Sequence, residues 1–312
     1  MSPTRPLAAV LIPTHDHAAT LDLAVRSALE QTVAEIEVLI VGDGVSDAVR
    51  AVASGLLRDD ERVRFLDLPK GPNHGEVHRG TAIESTEAEI VCYLCDDDLL
   101  LPEHVESMRE LLGEADLAHS QNGYFDPDGA WHHIFADLSS PACREWVLQP
   151  GQNVVALTGT AHTAAAYRRL PHGWRTTPDG HWPDHYMWQQ FLAQPWVRAA
   201  TAPRVTALQF PSHLGGREGW PPAQRRAELE RWRANLARSQ GRLLEKAIGA
   251  AVRDQATAEW MRREELETEL EEMKELRAAA VAEAVDLATH LREIEATRTW
   301  RLRSRLRRAG RQ

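Results

Sequence analysis

The sequence predicts an α/β fold, with a mostly parallel sheet flanked by helices and an α-helical coiled-coil extension after it. Two observations carry this. Through the first hundred residues, short apolar runs alternate with stretches of helical periodicity, as in βαβ units whose strands are buried on both faces. After about residue 254 a seven-residue repeat replaces that pattern.

The elements follow in order. Residues 7–13 (LAAVLIP) read as the first strand. Thr20 is placed to cap a helix in which Leu21, Val25, Ala28 and Leu29 share a face. A second strand, 36–41, runs into the turn Gly42-Asp43-Gly44, and 63–68 is a third. Residues 90–95 form a fourth strand, which ends at Asp96-Asp97-Asp98. Pro102 suits the first position of a helix over 102–112 that Gly113 stops. Ligands of open parallel sheets bind beyond the carboxyl ends of the strands. Pro13-Thr14-His15, Asp43 and the three aspartates all fall there.

Farther on, Leu266, Met273, Ala280, Leu287 and Ile294 recur every seven residues, with Leu270, Ala284 and Leu291 between them. Arg263 and Arg277 fall on the same seam. The pattern suits a helical hairpin or a self-associating coil, with a lone solvated helix as the remaining reading. Composition divides the chain into a domain over 1–220, closed by a Gly/Pro cluster at 215–222, and a helical linker over 221–253. A heptad helix over 254–297 and an Arg-rich tail over 298–312 follow.

Charge is equally uneven. Net charge is −10 over 312 residues, yet 254–297 holds 13 acids and 5 bases while 298–312 holds 7 arginines and no acid. The acidic body excludes a general nucleic-acid binder. Three cysteines exclude a disulfide scaffold and suit a reducing cytoplasm. No apolar run reaches the ~20 residues of a membrane span, and no signal-peptide pattern is seen, so a cytoplasmic protein is expected. Trp300, Leu302 and Leu306 among the tail arginines would let it rest on anionic lipid at the inner face of a membrane, or dock on an acidic helix.

The three aspartates at a strand end form a hard oxygen site suited to Mg²⁺ or Mn²⁺ beside phosphates, or simply complement the next helix dipole. Cys92 and Cys95 match C-x-x-C, but on a strand they point to opposite faces, and no second pair completes a zinc site. His181 and His185 lack the acid of a zinc helix motif and flank Pro183.

The runs LIPTHDHAATLDLAVRSALEQ, IEVLIVGDGVSD and AEIVCYLCDDDLLLPEH resemble family 2 glycosyltransferases of the GT-A Rossmann-like fold, over roughly residues 7–215. The resemblance implies that Pro13, Thr14 and His15 line a nucleotide pocket, that Asp43 hydrogen-bonds a uridine or thymidine base, and that Arg79 lies near the nucleotide. It places Asp96 at the ribose or metal, and Asp97 and Asp98 as ligands of Mn²⁺ or Mg²⁺, with His213 a further one. It makes Asp184 the catalytic base, over Asp179, an acid of an exposed turn. His162, Trp182 and Arg217 would contact donor or acceptor; Tyr186 and Trp188 suit sugar stacking. Gly42 and Cys95 depart from the family pattern, each standing where an acid is usual.

The expected activity is inverting, metal-dependent transfer from a UDP- or dTDP-sugar to a hydroxyl. The acceptor class is a glycan, a lipid-linked or a small molecule, as in polysaccharide, cell-envelope glycan or glycoconjugate synthesis. The alternative is an inactive GT-A domain serving as a coiled-coil scaffold.

Overall fold

The computed structural model describes residues 5–239 and 242–309. The chain divides into two compact units, Met1–Val252 and Arg253–Gln312. The first runs β1 (Ala8–Thr14), α1 (Leu21–Leu29), β2 (Ile36–Asp43), α2 (Asp47–Asp59), β3 (Val63–Leu68), α3 (Val77–Glu84), β4 (Ile90–Tyr93), β5 (Leu99–Leu100) and α4 (His104–Leu112). Next come β6 (Leu117–His119), β7 (Asn122–Phe125), β8 (Trp131–Ile134), α5 (Pro141–Val147), β9 (Thr160–Thr163) and α6 (Ala164–Arg168). Then α7 (Pro183–Leu192), β10 (Ala199–Thr201), β11 (Ala207–Leu208), α8 (Pro222–Ser239) and the first residues of α9 (Arg242–Ala296) complete it.

Seven strands form the main sheet in the order β10-β6-β9-β4-β1-β2-β3. β9 is antiparallel to its neighbours β4 and β6, and every other pair is parallel. Both faces are covered, so successive residues of one strand enter different cores. On β1, Ala8, Val10 and Ile12 pack with Val25, Ala53 and Met108, whereas Ala9 and Leu11 pack with Ile83, Met187 and Phe191. That is why the strand reads as one apolar run. Thr14 is level with Gly42 in the register, so β1 and β2 end side by side and present Thr14, His15 and Asp43 along one edge.

Three local expectations are corrected. The Thr20 hydroxyl donates to the His17 carbonyl at 3.4 Å and caps no backbone amide of α1. Pro102 lies two residues before α4, in a turn whose Pro102 carbonyl accepts from Thr32 N–H at 2.8 Å. The linker expected over 221–253 is instead built into the first unit, up to Val252. Leu229 and Leu244 are buried there with Phe125, Trp131 and Phe210, and the rings of Phe125 and Trp232 stack at 3.8 Å. Arg226 and Arg233 of α8 bond Asp22 and Glu30 of the α1 segment at 2.6 and 2.7 Å.

The second unit holds the rest of α9 and then α10 (Arg298–Ala309). Residues 310–312 of the expected Arg-rich tail lie outside the described residues. Leu266, Leu270, Met273, Leu287, Leu291 and Ile294, the large members of the heptad seam, are all exposed. No helix among the described residues is long and apolar enough to cross a membrane.

Candidate active site

The site is assembled at the carboxyl ends of β1, β2 and β4. Asp43, the last residue of β2, is buried and takes three cationic or N–H partners. Gly71 N–H donates to Oδ1 at 2.6 Å, Lys70 Nζ donates to Oδ2 at 2.5 Å, and His78 Nε2 lies 3.5 Å away. Burial alone would raise the Asp43 carboxyl. The bonds from Lys70 and Gly71 and the nearby charges outweigh it and hold the group below the usual carboxylate range.

The loop that brings Lys70 and Gly71 to Asp43 depends on Gly75. Its φ is +61°, and a Cβ there would stand 2.1 Å from Asp43 Cγ, so no other residue lets this loop close. Glu76, fully buried, ties the loop to the segment before α7. It accepts from His74 N–H at 3.0 Å and Thr177 N–H at 2.6 Å.

At the end of β1, Pro13 is part-buried and His15 is exposed. His15 Nδ1–H donates to the Asp43 carbonyl at 2.6 Å, which fixes the ring at the pocket edge. Thr14 Oγ1 is buried with no partner among the described residues.

The acidic turn after β4 separates its three carboxylates by role. Asp96 Oδ1 lies 2.8 Å from His17 Nδ1, and the bond and charge of Asp96 push the His17 imidazole up to about 9. Asp97 accepts from Arg225 Nη2 at 2.8 Å; burial and the charge of Asp96 raise its carboxyl. Asp98 accepts from the Thr158 hydroxyl at 2.5 Å and from Phe210 N–H at 2.8 Å, one bond on each oxygen. Burial, reinforced by Asp97, pushes it up to about 8. Asp98 thus clamps the 158 and 210 segments onto the turn while remaining close enough to Asp97 to share an ion with it.

Ligand atoms of His17, Asp96 and Asp97 lie within 4.8 Å of one another, as do those of Cys95, Asp97 and Asp98. Two adjacent carboxylates with an imidazole suit Mn²⁺ or Mg²⁺; the Cys95 thiol adds little toward such hard ions. Asp96, Asp97 and Asp98 are thus the carboxylates that could hold a divalent ion, with Asp97 common to both groups. His213 is exposed and belongs to neither group, so the expected ligand role for it is not supported.

Arg79 and Asp184 lie near enough for each to feel the other's charge. Arg79, on α3, is buried with its guanidinium 4.5 Å from the Trp174 ring, and its Nε has no partner among the described residues. Burial lowers its pKa, against the charges of Cys95 and Asp184. Asp184 sits in the first turn of α7 and accepts His185 N–H at 2.8 Å and Asn153 Nδ2 at 3.2 Å, both on Oδ1. Oδ2 is left without a hydrogen bond among the described residues. Burial raises the carboxyl, opposed by the His185 amide and the Arg79 charge. A carboxylate with one oxygen fixed, one unbonded and a raised pKa is chemically able to accept a proton. Asp179 is exposed.

Two expected contacts are corrected. His162 is fully buried on β9, with Nε2 2.7 Å from the Tyr93 hydroxyl, and belongs to the core. Arg217 is 1% exposed and bonds Glu228 and the Phe125 carbonyl, beneath α8. Trp188 is likewise core, its indole N–H donating to the Val155 carbonyl at 3.0 Å. Trp182, 57% exposed beside Asp184, has a free face. Sequence reasoning missed Lys70, His17 and Arg225. Lys70 is one of only 3 lysines and begins the turn KGPNHG, a signal that was available. His17 and Arg225 reach the aspartates from 79 and 128 residues away, and no spacing announces that.

A family model described as Glycosyl transferase family 2 matches residues 9–165. The GalNAc(5)-diNAcBac-PP-undecaprenol beta-1,3-glucosyltransferase of Campylobacter jejuni subsp. jejuni is 26% identical over 112 residues, 35% of this chain and 35% of that one. Chondroitin synthase of Pasteurella multocida is 32% identical over 128 residues, 40% of this chain and 13% of that one. The chain therefore spans at most about a third of the length of these curated relatives. The crystal structure of S. aureus TarS 1-349 aligns with a TM-score of 0.50 at 14% identity, covering 64% of this chain and 59% of that chain. That likeness shows the fold, which is GT-A.

Proposed function

This chain belongs to glycosyl transferase family 2, and from that premise we propose that it transfers a sugar, with inversion, from a nucleoside diphosphate donor to an acceptor hydroxyl. The observation that carries the reading is the grouping of Asp184, Arg79 and the Asp96–Asp97 pair around the carboxyl ends of the strands. Asp184 removes the proton of the acceptor hydroxyl as that oxygen attacks the anomeric carbon. The bond from the anomeric carbon to the diphosphate oxygen breaks on the opposite face, and the nucleoside diphosphate leaves. Arg79, a buried cation with an unbonded Nε, stabilises the charge that develops on it. Asp96 and Asp97 would hold Mn²⁺ or Mg²⁺, which when bound neutralises diphosphate charge.

Asp43, kept ionised by Lys70 and Gly71, accepts hydrogen bonds only, which suits the N3–H of uracil or thymine. The donor is accordingly a UDP- or dTDP-sugar, bound between Asp43 and His15. TarS has been crystallised with UDP-GlcNAc, a donor of this class. Trp182 offers its open face to the acceptor, a glycan, lipid-linked or small molecule. The α10 helix, with Trp300, Leu302 and Leu306 exposed among arginines, brings the enzyme to anionic lipid, as would suit a lipid-linked acceptor at the inner face of a membrane.

Thermal unfolding with UDP, dTDP and GDP, each with and without Mn²⁺, tests the donor site. Stabilisation by UDP or dTDP is expected. Stabilisation by GDP alone would move the base preference, and no effect from any nucleotide would favour the scaffold role that Cys95 and Gly42 suggest. Flotation with anionic and neutral vesicles tests α10, and equal recovery with both would remove the lipid role.

A further inference from the structure

The second unit leaves an apolar seam uncovered along α9. Leu266, Leu270, Met273, Leu287, Leu291 and Ile294 are between 47% and 67% exposed on a helix of 55 residues. From Arg263 to Ile294 the seam runs for roughly four and a half heptads, enough to specify a coiled coil. We propose that a second copy of this chain covers it, as a parallel, in-register, two-stranded coil. The proposal is independent of the transfer reading.

The flanking positions identify the occupant. With Leu266, Met273, Ala280, Leu287 and Ile294 at d, and Leu270, Arg277, Ala284 and Leu291 at a, the g and e positions follow. In a parallel dimer each g residue faces the e residue five places on in the other copy. Arg262 then meets Glu267, Glu269 meets Lys274, and His290 meets Glu295 of the second copy. Leu276 meets Val281, which covers the thin layers at Ala280 and Ala284 with apolar side chains. The remaining position, Glu283 opposite Ala288, is neutral, so no like charges face each other at any of the five.

An antiparallel pair matching Leu270 with Leu287 instead sets Leu276 near Glu283 and Val281 near Lys274. Arg277 supports two strands over more: a long cation at a can carry its charge to the edge of a dimer, at a cost in stability. Within one copy Arg262, Arg263 and Lys274 are held by Glu265, Glu267 and Glu271, exposed pairs that exchange cheaply on association.

Sedimentation equilibrium of the full chain is expected to give a concentration-dependent dimer, and Leu270→Glu with Leu287→Glu a monomer with unchanged sugar transfer. A full-length chain that stays monomeric at roughly 100-fold the working concentration would overturn the proposal. Register is read by oxidation. Leu266→Cys should form a dimer disulfide with itself that the parent chain lacks. Cross-linking only when it is mixed with Leu291→Cys would show an antiparallel pair and overturn the orientation. Lys274→Glu should weaken the dimer by about 5-fold or more, and mixing it with Glu269→Lys should restore a heterodimer. Equal affinity for Lys274→Glu would remove the charge argument.

Discussion

The two units of this chain use charge in opposite ways. In Met1–Val252, Asp43, Glu76, Asp98 and Arg217 are each 8% exposed or less and each is held by named partners from distant segments. In Arg253–Gln312, the ion pairs are exposed and join residues three or four apart on one helix. A buried, partnered polar group has one role, and removing its partner strands it in a low-dielectric site. An exposed helical pair contributes a few tenths of a kcal/mol and can be exchanged for another. The first unit is thus organised to hold one geometry, the second to keep its surface available.

This contrast can be broken or sharpened by substitution. The largest effect belongs to Asp184→Asn, which is expected to lower turnover by ~10²–10⁴-fold while donor binding, read by thermal shift, is unchanged. Undiminished turnover would place the base elsewhere. Next is Asp98→Ala, which leaves the Thr158 hydroxyl and Phe210 N–H without their acceptor and should cost about 2–4 kcal/mol in denaturant unfolding. A cost as small as that of a surface substitution would mean that Asp98 is not a clamp.

A comparable effect comes from His162, whose imidazole burial pushes down to about 4. Unfolded, it takes up a proton near 6.5, so the folded state loses stability as pH falls from 6.5 toward 4. Relative to His162→Gln, the native chain should lose about 2–3 kcal/mol across that window. Parallel pH curves for the two chains would contradict this. The smallest effect is expected at the seam: Leu270→Glu with Leu287→Glu should shift the unfolding of the first unit by less than ~0.5 kcal/mol.

The legibility of the chain in its sequence divides along the same line. The continuous apolar runs of β1 and β2 and the seven-residue repeat of α9 are local signals, and strands buried on both faces and a long helix stand at those positions. The motifs at strand ends were legible too, because a parallel sheet dictates where they lie. What each aspartate of the turn does was not. Asp96, Asp97 and Asp98 are adjacent, yet their partners come from His17, Arg225, Thr158 and Phe210, on four separate segments. His162 and Arg217, in small-residue and Gly-rich stretches, were expected to contact donor or acceptor. They proved buried because Tyr93 and Glu228 supply the bonds that make burial tolerable. The reversed strand β9 carries no mark of its direction in four residues.

One contact sets where this chain can be cut. Arg225 reaches from α8 to Asp97 and also donates to the Phe210 carbonyl, while Glu228 receives both Arg225 and Arg217. A fragment trimmed to the family-matched residues 9–165 would keep every aspartate of the turn and lose Asp184, Phe210 and Arg225. One ending at residue 221 would keep Asp184 but strip the only cation bonded to Asp97 among the described residues, and would uncover Phe125 and Phe210. The shortest fragment that keeps these bonds therefore extends well past the family-matched residues, through α8, and the first unit as a whole ends at Val252.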